Sequence, residues 1–303
     1  MKPLLLRLHR WIALASALPL AVVVLTALVL SFEPMLNDRD WNGRSISLAD
    51  VEAVIAKHDP AGKASTLNVR AYENVVMLAS GKGGEMKRID LATNQVIPAD
   101  RRLWSDFLTL NRRLHESLLL DLRWLVDAST IAMVVLMLIG LGMGLPFLRN
   151  TLGGWHRATA WGLAPLLLLS PLTGLAIAYG ITLAPPGPRI EGPPVALREA
   201  VQTVAKTHDL ANVIWIRPAG GATRVRVYDR GQAKVLAVTK TGLVAGPQSW
   251  PRLLHEGVWA GAWSGLLNVV VSIALVLLMT TGMLIWLRRT LRRRSISARP
   301  VKA

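Results

Sequence analysis

Apolar residues in this chain are gathered into four long runs, at about 11 to 32, 128 to 148, 160 to 182 and 266 to 287, rather than spread at strand or helix spacing. A hydrocarbon layer of about 30 Å needs about 20 apolar residues in a helix, so each run predicts a membrane span. The first run is longer than the roughly 7–15 apolar residues of a secretory leader and shows no small-residue cleavage site, so it is expected to stay as a helix. Between the runs the pattern changes. "SLADVEAVIAKHDP" and "VALREAVQTVAKTHDL" carry apolar residues at helical spacing, the first with Ser47 placed to cap it. Three alternating, strand-like runs follow each: "STLNVRAY", "NVVMLAS" and "EMKRIDLA", then "NVIWIRPA", "TRVRVYD" and "AKVLAVT". Gly81, Lys82, Gly83 and Gly84, and later Gly220 and Gly221, supply turns between them.

The two halves of the chain resemble each other element by element. "LHRWIALASALPLAVVVLTALVLSF" faces "WHRATAWGLAPLLLLSPLTGLAIAY" without a gap, setting His9 on His156, Arg10 on Arg157 and Thr26 on Thr173 at an offset of 147. "RRLHESLLL" faces "PRLLHEGVW", setting Arg112 on Arg252, His115 on His255 and Glu116 on Glu256 at an offset of 140, which also carries Gly142 onto Gly282. The expected fold is an α-helical integral membrane protein with four transmembrane helices arranged as two parallel repeats, each carrying one small α+β module.

Charge orients this layout. Residues 2–10, 149–157 and 288–302 carry Lys and Arg but no Asp or Glu, and by the positive-inside rule they face the cytosol. The tail "RRTLRRRS" and much of the +16 formal charge are thereby explained without nucleic acid. The predicted order is a first span (1–32), an outer module (33–114), an interfacial segment with the second span (115–149), a cytosolic loop with the third span (150–182), a second outer module (183–254), another interfacial segment with the fourth span (255–287) and a basic tail (288–303). With no cysteine in the chain, disulfides, iron–sulfur clusters and thioether-linked haem are excluded.

Six histidines remain as candidate chemistry. His58 and His208 fall at the ends of the soluble helices, where the helix dipole favours them. His9 and His156 open spans one and three on the cytosolic side, while His115 and His255 precede spans two and four on the outer side. Under the repeat, each couple can meet across the bundle, the arrangement that grips a haem between two imidazoles. Arg10, Arg157, Arg112 and Arg252 would then face haem propionates. Interfacial His and Arg also serve as plain anchors, a reading that suffices for His9 or His156 taken singly. It suits the outer pair less well, because Arg112, Arg113 and Arg252 lie where topology needs no basic residues. Asp121, Arg123 and Asp127 separate His115 from the apolar run. A straight helix would lift His115 roughly 20 Å above the hydrocarbon at 1.5 Å per residue, so an amphipathic interfacial segment is expected there.

Other patterns carry less. "GLGMG" at 140–144 lies within an apolar span and reads as close helix packing, and "SGKGGE" lacks nucleotide-loop spacing and reads as a turn. Pro19, Pro165 and Pro171 are expected to kink spans one and three. No Ser-His-Asp or HExxH spacing occurs, and few polar residues fall at mid-span, which disfavours a transporter.

"LHRW" opening a span that ends "LTAL", an outer α+β module, and "LHE" before a second span, all repeated, resemble the PepSY-associated transmembrane helix family over nearly the whole chain. The resemblance implies a bacterial inner-membrane protein with PepSY-like periplasmic modules, similar to ferric-siderophore reductases: a dihaem b-type protein passing electrons to a periplasmic Fe(III) chelate. It places the haem ligands on His9, His115, His156 and His255. Some relatives carry a cytosolic flavin and nicotinamide domain; this sequence has no dinucleotide fingerprint, so the expected donor is a quinol or a separate flavin reductase. The alternative is a haem-free membrane scaffold or regulator whose PepSY modules bind a peptide or protease.

Overall fold

The computed structural model describes residues 2–38, 40, 43–81, 84–145, 149–187, 190 and 193–297, the last five by their backbone alone. The turn residues Lys82 and Gly83, the expected end of span two at 146–148, and Arg299 and Lys302 of the tail lie outside the described residues. In chain order the elements are α1 (Lys2–Leu30), α2 (Glu33–Asn37), α3 (Leu48–His58), β1 (Thr66–Arg70), β2 (Val75–Ala79), β3 (Met86–Asp90), β4 (Gln95–Val96), α4 (Trp104–Ser117), α5 (Arg123–Gly142), α6 (Leu152–Gly162), α7 (Ala164–Ala178), α8 (Leu197–Ala205), β5 (Val213–Ala219), β6 (Ala222–Asp229), β7 (Gln232–Thr239), β8 (Gly242–Ala245), α9 (Trp250–Glu256) and α10 (Gly261–Ser297). They divide into a helical unit, Met1–Ser31 with Asn111–Gly180 and Leu267–Ala303, and a sheet unit, Phe32–Leu110 with Ile181–Leu266.

In the helical unit, three stretches are long and apolar enough to cross a membrane: Lys2–Asn37, Arg123–Gly142 and Gly261–Arg292. A fourth exists if α6 and α7 count as one, for they meet at a bend of 66°. The sequence predicted one kinked span over 160–182; instead the helix starts at Leu152, stops after Gly162 and restarts at Ala164. Pro165 sits in the first turn of α7, where its missing N–H costs nothing, so it opens a helix rather than kinking one. Pro19 and Pro171 lie inside α1 and α7 as expected. Leu20, Val24, Met133, Leu167, Val271, Ala274 and Leu275 form the shared core of this unit. Large apolar side chains such as Leu18, Trp11 and Leu138 point outward, as lipid-facing residues do. Hydroxyls inside these helices bond to their own backbone, Ser16 to the Ile12 carbonyl at 2.7 Å and Thr130 to that of Val126 at 2.8 Å, which satisfies them without water.

His115 does not continue straight into the second span. Helix α4 ends at Ser117, and Leu118, Leu119 and Asp121 all adopt positive φ before α5 begins at Arg123. Such angles are unusual for residues with a Cβ, and three within four residues make a sharp turn. Of the polar residues noted in the sequence, Asp121 lies in that turn, while Arg123 and Asp127 fall in the first turns of α5.

In the sheet unit, all strands pair antiparallel in one eight-stranded sheet of order β4-β3-β2-β1-β5-β6-β7-β8. The six predicted strand runs are there, joined by two short strands, β4 and β8, at the edges. The two strand sets meet where β1 pairs β5, Leu67 opposite Ile216 and Asn68 opposite Trp215. Helices α3 and α8 lay Val51, Val54, Val201 and Val204 onto one face, against Leu67, Val69, Val76, Ile89, Ile216 and Val225. Alternate residues of β3 and β6 leave that core: Arg88 reaches Asp106 of α4 at 3.0 Å, and Arg226 reaches Glu256 of α9.

Ser47 caps α3 as the sequence suggested, its Oγ accepting from the Asp50 N–H at 3.1 Å. Ser47→Ala is expected to cost about 1 kcal/mol in sheet-unit stability by denaturant titration. Lys234 donates to Asp229 at 2.7 Å, a hydrogen bond that holds the Asp229 carboxyl below its usual range. A depressed carboxylate stabilises the fold above its unfolded pKa and loses that contribution as pH falls through the folded value. Both side chains are about a third exposed. Lys234→Ala should therefore cost only about 0.2–1 kcal/mol at pH 7, and thermal melts of the two proteins should converge in acid.

His58 closes α3 and places Nε2 3.0 Å from the Asn94 Oδ1, and His208, beyond α8, places Nδ1 2.9 Å from the Thr207 hydroxyl. Both are engaged locally. The adjoining Asp209 binds the Ala211 and Ile46 N–H groups and the Ser45 hydroxyl, tying the approach to α3 to the end of α8.

Candidate functional site

All four span-associated histidines are half-buried, and the helical unit holds three of them, His9, His115 and His156. The environment of His115 begins with Thr26, buried in α1. Its hydroxyl lies 2.7 Å from the Val22 carbonyl and 3.0 Å from that of Val23, so its proton is committed to its own helix. His115 Nδ1 lies 3.2 Å from that hydroxyl and 3.0 Å from the Val23 carbonyl. A carbonyl only accepts, so Nδ1 must be the protonated nitrogen and Nε2 carries the lone pair.

His156 on α6 repeats the logic with different residues. Its Nδ1 lies 2.8 Å from the Thr281 hydroxyl, and that hydroxyl donates to the Leu277 carbonyl at 2.6 Å. Thr281 can then only accept from Nδ1–H, and Nε2 again carries the lone pair. Gly282, next along α10, makes room for the ring: a Cβ there would stand 3.4 Å from His156 Cε1.

His9 on α1 faces α5 in a related way. A Cβ at Gly140 would stand 3.9 Å from His9 Cε1. The Leu136 carbonyl acts on the His9 ring as the Leu278 carbonyl acts on His156. The glycine in register with Gly282 is therefore Gly140, not Gly142, which meets nothing within 4 Å; the sequence offset of 140 becomes 142 inside the spans. The residue before Gly140 is Ile139, where Thr281 precedes Gly282. His9 Nδ1 accordingly is buried without a well-formed hydrogen bond. His9 and His156 lie near enough to interact electrostatically.

His255 lies on α9, in the sheet unit. Its neighbour Glu256 is clasped by Arg226 and by Arg252, the latter at 2.8 Å one turn earlier on α9. Burial works against charge on Arg226, but the Glu256 carboxylate outweighs it and holds the guanidinium pKa above its ordinary value. Tyr228, Leu253 and Val258 pack beside this pair. Among the predicted arginines, Arg252 is thus engaged by Glu256, Arg157 is exposed and bonds the Gly153 carbonyl at 3.1 Å, and Arg10 and Arg112 are half-buried.

Thr281, Arg226 and Glu256 as an ion-pair partner went unrecognised in the sequence. Thr26 was flagged by its match to Thr173, whose hydroxyl makes the same pair of bonds to its own helix, to Leu169 and Ser170. Thr281 has no hydroxyl counterpart in the first half, so the repeat could not reveal it.

This donor set fits haem iron. His115 and His156 offer imidazoles whose Nδ1–H is engaged and whose lone pair is on Nε2, the pattern by which outer partners fix histidine ligands. Among the described residues no group of three or more His, Cys, Asp or Glu could hold a metal ion. No curated protein matches the chain. Residues 6–289 match the profile of the PepSY-associated TM region, nearly the full length and with both sets of apolar helices and strands inside the match, and the chain belongs to that family.

Proposed function

We propose that this membrane protein is a transmembrane electron conduit. It holds one b-type haem between His9 and His156 and a second on His115 and His255, and delivers electrons to a periplasmic ferric chelate of the siderophore class. The observation that carries this reading is the engaged Nδ1–H of His115 and His156, which sets the lone pair of each ring on Nε2. Bound there, haem would supply one-electron transfer without a change of ligands. The protein's own residues orient the rings through Thr26, Val23 and Thr281, give them space at Gly140 and Gly282, and keep water out with the apolar core around Leu167. His255 is assigned by its sequence match to His115. Arg10, Arg157, Arg112 and Arg252 are assigned to propionate carboxylates by their place beside the four ligands.

The same reading makes the chain a tandem duplication, with parallel repeats, both termini in the cytosol and the sheet unit in the periplasm of a bacterial inner membrane. The bonding shared by Thr26 and Thr173 and the matched glycines at 140 and 282 support the duplication. The donor is a quinol or a separate flavin reductase.

The test uses purified protein in vesicles, with a reduced quinol analogue as donor and a ferric hydroxamate or catecholate chelate outside, Fe(II) being trapped by a coloured chelator. Protein-dependent Fe(II) formation that is lost in His9→Ala and His255→Ala is expected. Haem-loaded protein that forms no Fe(II) even after chemical reduction would overturn the acceptor assignment, and purification without Soret absorption would favour the haem-free scaffold.

A further inference from the structure

The geometry points to Thr281 as the positioning residue that locks His156 in the Nδ1–H tautomer, with Thr26 adding a second acceptor beside the Val23 carbonyl for the His115 Nδ1–H, so that an iron held between His9 and His156 would have two unequal ligands. The inference rests on the ligand reading above and adds what sets the strength of each ligand.

Neither threonine is needed by its own helix. Thr is a poorer helix former than the Leu, Ala and Met around it, and its hydroxyl proton already returns to a carbonyl one turn back. What remains is an oxygen lone pair, presented at 2.8 Å to His156 and 3.2 Å to His115. An imidazole that gives its Nδ1–H to such an acceptor is held in one orientation, and its Nε2 becomes a stronger donor. At the matching place on α5 stands Ile139, and the His9 Nδ1 is left without a well-formed bond. His156 is therefore the strong, oriented ligand of its pair and His9 the weaker one. A stronger imidazole donor favours Fe(III), so the Thr281 bond would lower the potential of that haem, whereas His9 has only the Leu136 carbonyl near its ring and would bias it less.

Two readouts on the full-length protein test this. The first needs no haem: ¹⁵N spectra of protein with labelled histidine, prepared without haem, report which ring nitrogen is protonated. Wild type is expected to show Nδ1–H for His156 and His115, and Thr281→Val a tautomer mixture at His156, with Thr281→Ser restoring the wild-type signal. The second is potentiometry of the loaded protein. Thr281→Val is expected to shift the reduced-to-oxidised ratio of one haem by about tenfold toward reduced, about 59 mV. Thr26→Val should move the other haem in the same direction but less, since the Val23 carbonyl still accepts from His115 Nδ1–H, and Ile139→Thr should move the first haem the opposite way. An Nε2–H tautomer at His156 in wild type would overturn the proposal, and so would unchanged potentials in haem-loaded Thr281→Val and Thr26→Val; in the latter case the ligand assignment would stand. Wild-type protein that binds no haem would remove the ligand reading, and with it the unequal-ligand claim. The tautomer signals would still decide what the two threonines do.

Discussion

Arg226→Met is expected to destabilise the sheet unit by about 3 kcal/mol, read as a lowered denaturant midpoint in purified protein. The Arg226 and Glu256 side chains are 15% and 20% exposed, so the substitution leaves a largely buried carboxylate without that guanidinium, Arg252 staying as a partner. That partner, Arg252, is 49% exposed and interacts through solvent-screened charge. Removing Arg252 instead should cost under about 1 kcal/mol. The folded pKa of Arg226 is raised, so its contribution is complete at every pH where arginine is charged in the unfolded chain, and alkaline conditions in the ordinary range do not erode it. The double variant Arg226→Met with Glu256→Gln should be milder than the sum of the two singles, since no uncompensated charge remains. Because Glu256 follows His255 directly, the single Arg226 variant should also loosen α9 and weaken haem retention on that side.

Gly282→Val has the second largest expected effect, and its target is the His156 ring. A Cβ at this position already stands 3.4 Å from Cε1 and 4.0 Å from Nδ1, so the two further methyls of valine press on the ring. The ring must leave Thr281, so one haem per molecule should be lost, together with about 1–3 kcal/mol of overpacking strain. Gly282→Ala should keep the haem with an altered spectrum. Gly142→Ala is the control: nothing lies within 4 Å of its Cβ, and alanine is the better helix former by roughly 0.5–1 kcal/mol, so it should retain both haems and melt no lower than wild type. Haem per protein, assayed as the pyridine complex beside a thermal melt, separates the three variants.

What the sequence could reveal follows from the range of the forces involved. Spans one, two and four, the Ser47 cap and six strands are local patterns, legible because lipid and a half-buried sheet impose hydrophobic order on adjacent residues. The break between α6 and α7 was half legible: Pro165 announced a disturbance, but whether a proline kinks a helix or opens a new one depends on what the Gly162–Leu163 turn packs against. Strands β4 and β8 are too short to leave a period. The joining of the two strand sets through β1 and β5 had no local signal, since an edge strand reads the same whether or not another strand pairs with it. Internal repetition identified the four histidines and Thr26, because a duplicated residue stands out against divergence. The same device was blind to Thr281 and Arg226, each of which serves one half only, and it placed Gly282 opposite Gly142 where the packing sets it in register with Gly140.

The reduced-minus-oxidised absorption spectrum of the purified full-length protein, recorded for wild type and for His→Ala at positions 9, 156, 115 and 255, tests the central claim most directly. Two low-spin b-type haems are predicted in wild type. The His9 and His156 variants should lose the low-spin signature of the same haem, and the His115 and His255 variants that of the other. Four variant spectra identical to wild type, or a wild-type protein without haem absorption, would contradict the account.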